Sequence, residues 1–241
     1  MTDATKTVRD IVQTQPSSLV IFEQFGIEYC CCNSKSLGEV CATNDLDVEI
    51  VIAALDVASR HEDPSNDDWM ADSLTRLTLH IIRTHHGYCK GELPLLLGLV
   101  AKVVKRHGGA NPELQMIQSK LTLLADMLTC HLAEEESIVF PMIAKLEAEE
   151  AGAGVQDAEL KTNIGNLCVL LMAEHDIAGN LLAELRNLSH NFVAPGNACA
   201  THQALFDGLR ELERDLHRHV HLENNILFPR AIAIASSPSA S

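Results

Sequence analysis

The sequence predicts an all-α protein, an antiparallel four-helix bundle preceded by a small helical unit. Three observations carry this reading. Apolar residues recur at helical spacing through nearly the whole chain, and no stretch alternates as a strand does. Four long amphipathic stretches are separated by short breaks rich in Gly and Pro, which is the layout of a bundle with tight connections. The second and fourth of these stretches also carry one motif twice in the same register.

In chain order, Pro16-Ser17-Ser18 opens a helix that runs to Phe25, and Gly26 is suited to end it. Tyr29-Cys30-Cys31-Cys32-Asn33-Ser34 is a loop by composition, and Leu46-Asp47-Val48-Glu49 begins a second helix that ends near Ala58. Residues 61–68 are polar and contain Pro64, as expected of a linker. The first long helix is expected over 72–107 with a kink near Pro94, and the second over 112–150 after the turn Gly108-Gly109-Ala110-Asn111-Pro112. After Ala151-Gly152-Ala153-Gly154 the third spans 160–189, and after Pro195-Gly196 the fourth spans 199–235. The expected division is therefore a small helical domain over 1–64 holding the Cys-Cys-Cys loop, a bundle over 72–235, and a disordered Ser/Pro tail over 236–241.

The composition, 46% hydrophobic and 21% charged over 241 residues, is that of a globular chain. Thirty-three acidic residues against eighteen Lys and Arg give a net charge of −15, which opposes nucleic-acid phosphates and anionic membrane surfaces alike. The longest apolar run, Leu93 to Ala101, is interrupted by Pro94 and Gly98 and falls short of the ~18 residues of a membrane span. The N-terminus leads into no apolar segment of a secretory signal, so a cytoplasmic location is expected. Eight cysteines in a reducing compartment, three of them consecutive, are unsuited to a disulfide framework.

The repeated motif locates the chemistry. His131-Leu132-Ala133-Glu134-Glu135-Glu136-Ser137-Ile138-Val139-Phe140-Pro141 aligns without gaps on His219-Val220-His221-Leu222-Glu223-Asn224-Asn225-Ile226-Leu227-Phe228-Pro229, with His, Glu, Ile, Phe and Pro recurring at offsets 0, 4, 7, 9 and 10. His86 precedes His131 by 45 residues and His175 precedes His219 by 44, so the bundle reads as a duplicated helical hairpin. A residue four positions on lies one turn along the same helix face, and the apolar stripes through Leu121, Leu124 and Leu128 and through Leu209, Leu212 and Leu216 place both His-x-x-x-Glu pairs inward. His175 lies among Cys168, Leu171, Leu182 and Leu185. His86 lies among Leu79, Ile82 and Leu93, with His85 a competitor only 100° away around the helix.

A lone buried histidine is most often a hydrogen-bonded core residue, and a lone His-x-x-x-Glu is most often a surface pair. Two such pairs in matching registers, each preceded by another inward histidine, point instead to metal. Burying two carboxylates without cations is very costly, and imidazole with carboxylate suits iron. The arithmetic suits two non-haem irons per chain, with two terminal histidines on each, both carboxylates bridging, and an oxo or hydroxo group completing the shells. His217 and His221 share a face with Arg210, Arg214, Arg218 and Asn225 and are expected to be solvated. Glu134 and Glu136 are expected at the surface or hydrogen-bonded behind the ligands.

The chain resembles the repair-of-iron-centres family, a branch of the hemerythrin-like di-iron proteins. The residues that carry the resemblance are Gly26-Ile27-Glu28-Tyr29-Cys30-Cys31, His80-Ile81-Ile82 with His86, Glu174-His175-Asp176, and Leu222-Glu223-Asn224-Asn225-Ile226-Leu227-Phe228-Pro229-Arg230-Ala231. The family's six ligands fall on His86, His131, Glu135, His175, His219 and Glu223, which settles His86 over His85. The resemblance implies a hemerythrin-like bundle that repairs iron–sulfur clusters damaged by nitrosative or oxidative stress, by donating iron to the damaged proteins. Cys30 and Cys31 are its candidate thiols. It leaves open a nitric-oxide-binding or nitric-oxide-reducing protein, and hence whether the chain is an enzyme, and it also leaves a homodimer open. Oxygen binding ranks last, because hemerythrins proper use five histidines where this chain supplies four. Two departures stand out. Cys32 and Asn33 follow where the family often has glycines, and Cys89 stands three residues after the first ligand where the family often has a second histidine. Cys89 is expected to be a buried thiol.

Overall fold

A computed structural model describes residues 3–29, 35–59, 69–153, 157–196 and 198–237. The Cys-Cys-Cys loop, the expected linker over 61–68 and residues 238–241 lie outside the described residues. Among the described residues every regular element is helical, and the only ladder-type pairing is an isolated bridge between Thr7 and Ser36.

The described chain divides into two compact units, one of residues 1–73 with 217–230 and one of residues 74–216 with 231–241. The first contains α1 (Val8–Thr14), α2 (Ser18–Phe25), α3 (Leu37–Thr43) and α4 (Val48–Ala58). Each of these short helices has its ends fixed by local chemistry. The Thr7 hydroxyl accepts from the Asp10 amide, Ser36 and Glu39 form a reciprocal capping box, and Asp47 accepts from the Glu49 amide. Gly26 ends α2 in the left-handed region at φ 66°, where a side chain is strained. Val8, Ile11, Phe22, Tyr29, Leu37 and Leu55 form the centre of this unit's core.

The bundle's long helices lie mainly in the second unit, residues 217–230 of the fourth being grouped with the first unit. The bundle's first long helix comprises α5 (Leu74–Ile81), a π-helical turn (Ile82–His86) and α6 (Gly87–His107), and its second comprises α7 (Glu113–Glu134), a π-turn (Glu135–Val139) and α8 (Phe140–Glu150). The third is α9 (Ala158–Leu188), capped by Asp157. The fourth begins as α10 (Ala200–His221) and continues through a π-turn (Leu222–Leu227) into α11 (Phe228–Ser236). α6 runs through Pro94, where the kink was expected, and the break in α-helical register falls earlier, at residues 82–86. The Glu147 carboxylate near the end of α8 accepts from the amide and hydroxyl of Thr75, at 2.9 and 2.7 Å, and so caps the start of α5. Leu96, Val100, Leu121, Leu124, Leu185 and Leu212 are fully buried in a continuous core that all four long helices share. No described helix is long and apolar enough to cross a membrane.

Candidate metal centre

The π-turns explain how the ligand candidates are presented. Pro141 and Pro229 have no N–H and cannot continue an α-ladder, and each is preceded by a phenylalanine whose amide reaches five residues back. Phe140 donates to the Glu135 carbonyl, and Phe228 donates to the Glu223 carbonyl. In the first long helix Gly87 likewise donates to the Ile82 carbonyl, immediately after His86. Each of these turns carries one ligand candidate, Glu135, Glu223 or His86, and α9, which carries His175, is regular throughout.

The six sequence-predicted metal residues come together. Donor atoms of His86, Glu135, His219 and Glu223 lie within 4.8 Å of one another, and so do those of His131, Glu135, His175 and Glu223. The two groups share both carboxylates and divide the four histidines equally. None of the six is more than 3% exposed. Glu135 lies 3.4 Å from both His86 Nε2 and His131 Nε2, His131 Nε2 lies 2.9 Å from His175 Nε2, and His219 Nε2 lies 2.9 Å from Glu223. Two carboxylates fully enclosed among imidazoles need positive charge, and this donor set fits metal cations.

Acidic residues behind two of the imidazoles orient them. His86 Nδ1–H donates to Glu136 at 2.8 Å and His131 Nδ1–H donates to Glu174 at 2.7 Å, which turns each Nε2 lone pair toward the shared carboxylates. Burial pushes the Glu136 carboxyl up, but hydrogen bonds from Lys90 and His86 outweigh it and hold the group below the usual carboxylate range. Sequence reasoning placed Glu136 among two alternatives and did not single out Glu174. The available signal was adjacency, since each directly neighbours a ligand candidate.

His85 takes no part in either group. Its Nδ1 lies 2.9 Å from Asp215 and its ring meets that of His80 edge-on. Cys89 is buried in the bundle core, as expected, and is in neither group. The expectation of a solvated His217/His221 face is overturned. His221 is buried, and Tyr29 packs edge-on to both histidine rings, each centroid 6.0 Å away. Asn225 completes the arrangement with a 2.9 Å hydrogen bond to His221, and burial followed by the nearby Arg9 charge pushes the His221 pKa down to about 4. Cys30 and Cys31 lie outside the described residues.

The other cysteines divide by environment. Cys41, Cys89 and Cys168 are buried, and burial raises the Cys41 thiol pKa. Cys199 precedes α10, where the amides of His202 and Thr201 hold its thiol pKa below the ordinary value, and its Sγ lies 3.4 Å from His107 Nε2. Iodoacetamide is therefore expected to label Cys199 and the exposed Cys130 in the native protein. The three buried thiols should react only after unfolding, and peptide mapping checks each site. Native labelling of Cys168 would contradict the packing of α9.

A buried set of histidines and carboxylates on four antiparallel helices defines a hemerythrin-type cation-binding bundle. Residues 77–231 match the hemerythrin HHE cation binding domain, and the chain belongs to that family. Residues 4–59 match a second family, ScdA_N, described as a domain of unknown function. The relatives include iron-sulfur cluster repair proteins named YtfE from Escherichia coli O17:K52:H18, Escherichia coli O6:K15:H31 and Shigella boydii serotype 4. Each is 34% identical over 218 residues, covering 90% of this chain and 92% of the relative.

Proposed function

We propose that this chain is a di-iron protein that restores iron–sulfur clusters damaged by nitrosative or oxidative stress, acting by iron donation to the damaged proteins. The observation that carries the proposal is the pair of four-residue groups sharing Glu135 and Glu223. The likeness to the iron-sulfur cluster repair proteins over nine-tenths of the chain supplies the biological direction. In this reading His86 and His219 would hold one ion and His131 and His175 the other, Glu135 and Glu223 would serve both as bridging carboxylates, and an oxo or hydroxo group would complete the shells. The bound irons supply releasable metal and a place for a small ligand such as nitric oxide or oxygen.

The protein's own residues do the rest. Glu136 and Glu174 keep the Nδ1 protons of His86 and His131, so that both imidazoles face inward as neutral donors. Lys90, half exposed, ties Glu136 to the outer side of His86. We assign residues 1–64 and 72–235 as separate domains, with Cys30 and Cys31 of the first handling iron or nitric oxide on its way to or from the bundle.

The test is reconstitution. An iron–sulfur protein damaged with nitric oxide is mixed with the iron-loaded chain, and recovery of its cluster absorbance is followed. Recovery by the wild type is expected. A Cys30→Ala/Cys31→Ala variant should hold normal iron yet repair several-fold more slowly, and unchanged repair would confine the chemistry to the bundle. Formation of nitrous oxide from nitric oxide with oxidation of the two ferrous ions, without iron reaching the client, would assign reduction of nitric oxide in place of repair, and uptake of nitric oxide without nitrous oxide would assign binding.

A further inference from the structure

The π-turn that carries Glu223 is held by side chains distant in sequence. Phe228 N–H bonds the Glu223 carbonyl, five residues back, and Pro229, which has no N–H, can make no α-type bond to the Asn225 carbonyl. Both residues are almost completely buried. Arg9 Nη2 donates to the Asn224 carbonyl at 3.2 Å and Gln13 Nε2 donates to the Asn225 carbonyl at 2.8 Å. Arg9 and Gln13 are four residues apart on α1, hence on one face of that helix. The equivalent carbonyls in the first copy of the motif belong to Glu136 and Ser137, residues that are half-buried and exposed, where solvent is at hand.

We infer that Arg9 and Gln13 are positioning residues for Glu223, a step that rests on the di-iron reading above. In a regular α-helix Phe228 N–H would bond the Asn224 carbonyl, four residues back. With that carbonyl engaged by Arg9, Phe228 N–H goes to the Glu223 carbonyl, and the helix keeps the π-type register from which Glu223 joins both metal groups. Gln13 secures the next carbonyl, which Pro229 cannot serve. The N-terminal helix thus fixes the backbone register of one bridging carboxylate without touching it.

The experiment uses the full-length iron-loaded chain. Arg9→Met, Gln13→Leu, the double variant and Arg9→Lys are compared for the rate of iron loss to a ferrous chelator, for the absorption spectrum of the oxidised iron-loaded protein, and for the melting temperature without metal. The double variant should lose iron about tenfold faster with an altered spectrum, in the range seen when groups supporting a ligand are removed. Arg9→Lys, which retains a donor, should recover most of the wild-type rate. An unchanged rate and spectrum, or a lowered melting temperature alone, overturns the inference. If the double variant fails to fold, Gln13→Leu alone decides by the same two readouts. A wild type that takes up no iron overturns the di-iron reading itself, and with it this inference.

Discussion

Replacing Glu135 or Glu223 by alanine is expected to empty the bundle of iron. Each carboxylate belongs to both donor groups, so one substitution damages both ion positions and leaves four buried imidazoles with half the negative charge. Groups that merely support a metal ligand cost ~10–100-fold in affinity when removed, and loss of a shared ligand should exceed that. Elemental analysis of anaerobically purified protein should fall from the proposed two irons per chain to well below one. His85→Ala, on the neighbouring position that is bonded to Asp215, should keep the wild-type content. Full loading of either glutamate variant would remove the bridging assignment.

The largest effect on stability is expected at Arg186. Its Nε donates to Glu213 at 3.0 Å and a second guanidinium contact reaches the other carboxylate oxygen, while the same side chain lies 5.4 Å over the Phe192 ring. The Glu213 side chain is 3% exposed, and that of Arg186 is 37% exposed. Arg186→Met leaves a buried carboxylate beside an apolar stem and should lower stability by about 3 kcal/mol, the low end for breaking a buried pair, because water still reaches the arginine side. Urea unfolding of the metal-free protein measures the loss. Arg186→Met/Glu213→Met should recover most of it, since an apolar pair of similar volume is tolerated where a lone buried charge is not. A loss under about 1 kcal/mol would mean that the pair behaves as a surface one.

The long helices were legible because each must bury one stripe along its length, and that stripe is written at helical spacing. The third helix, expected over 160–189, spans Ala158–Leu188, and the second, expected over 112–150, spans Glu113–Glu150 with its π-turn. The metal candidates were legible for the same reason, since duplicated polar residues on an apolar stripe stand out. The π-turns were not, because one added residue per turn barely disturbs such a stripe, and only the repeated Phe-Pro pair marks two of them. At seven residues each, α1 and α3 are too short to show a period and are legible mainly through Thr7 and Ser36 at their caps. The burial of His221 depends on Tyr29, nearly two hundred residues earlier, and no local pattern contains that information.

The two copies of the motif have unequal freedom. In the first, Ala133, Ser137 and Ile138 reach solvent, whereas in the second every residue from His219 to Phe228 is buried. Mutational drift should therefore be lopsided across an internally duplicated protein. The outward positions of the His131 copy, Ala133, Ser137 and Ile138, can accept almost any polar residue. Their counterparts His221, Asn225 and Ile226 can change only in step with partners elsewhere in the chain. Of the two copies one is open to variation and the other locked, and a protein with the two eleven-residue segments exchanged is expected not to fold.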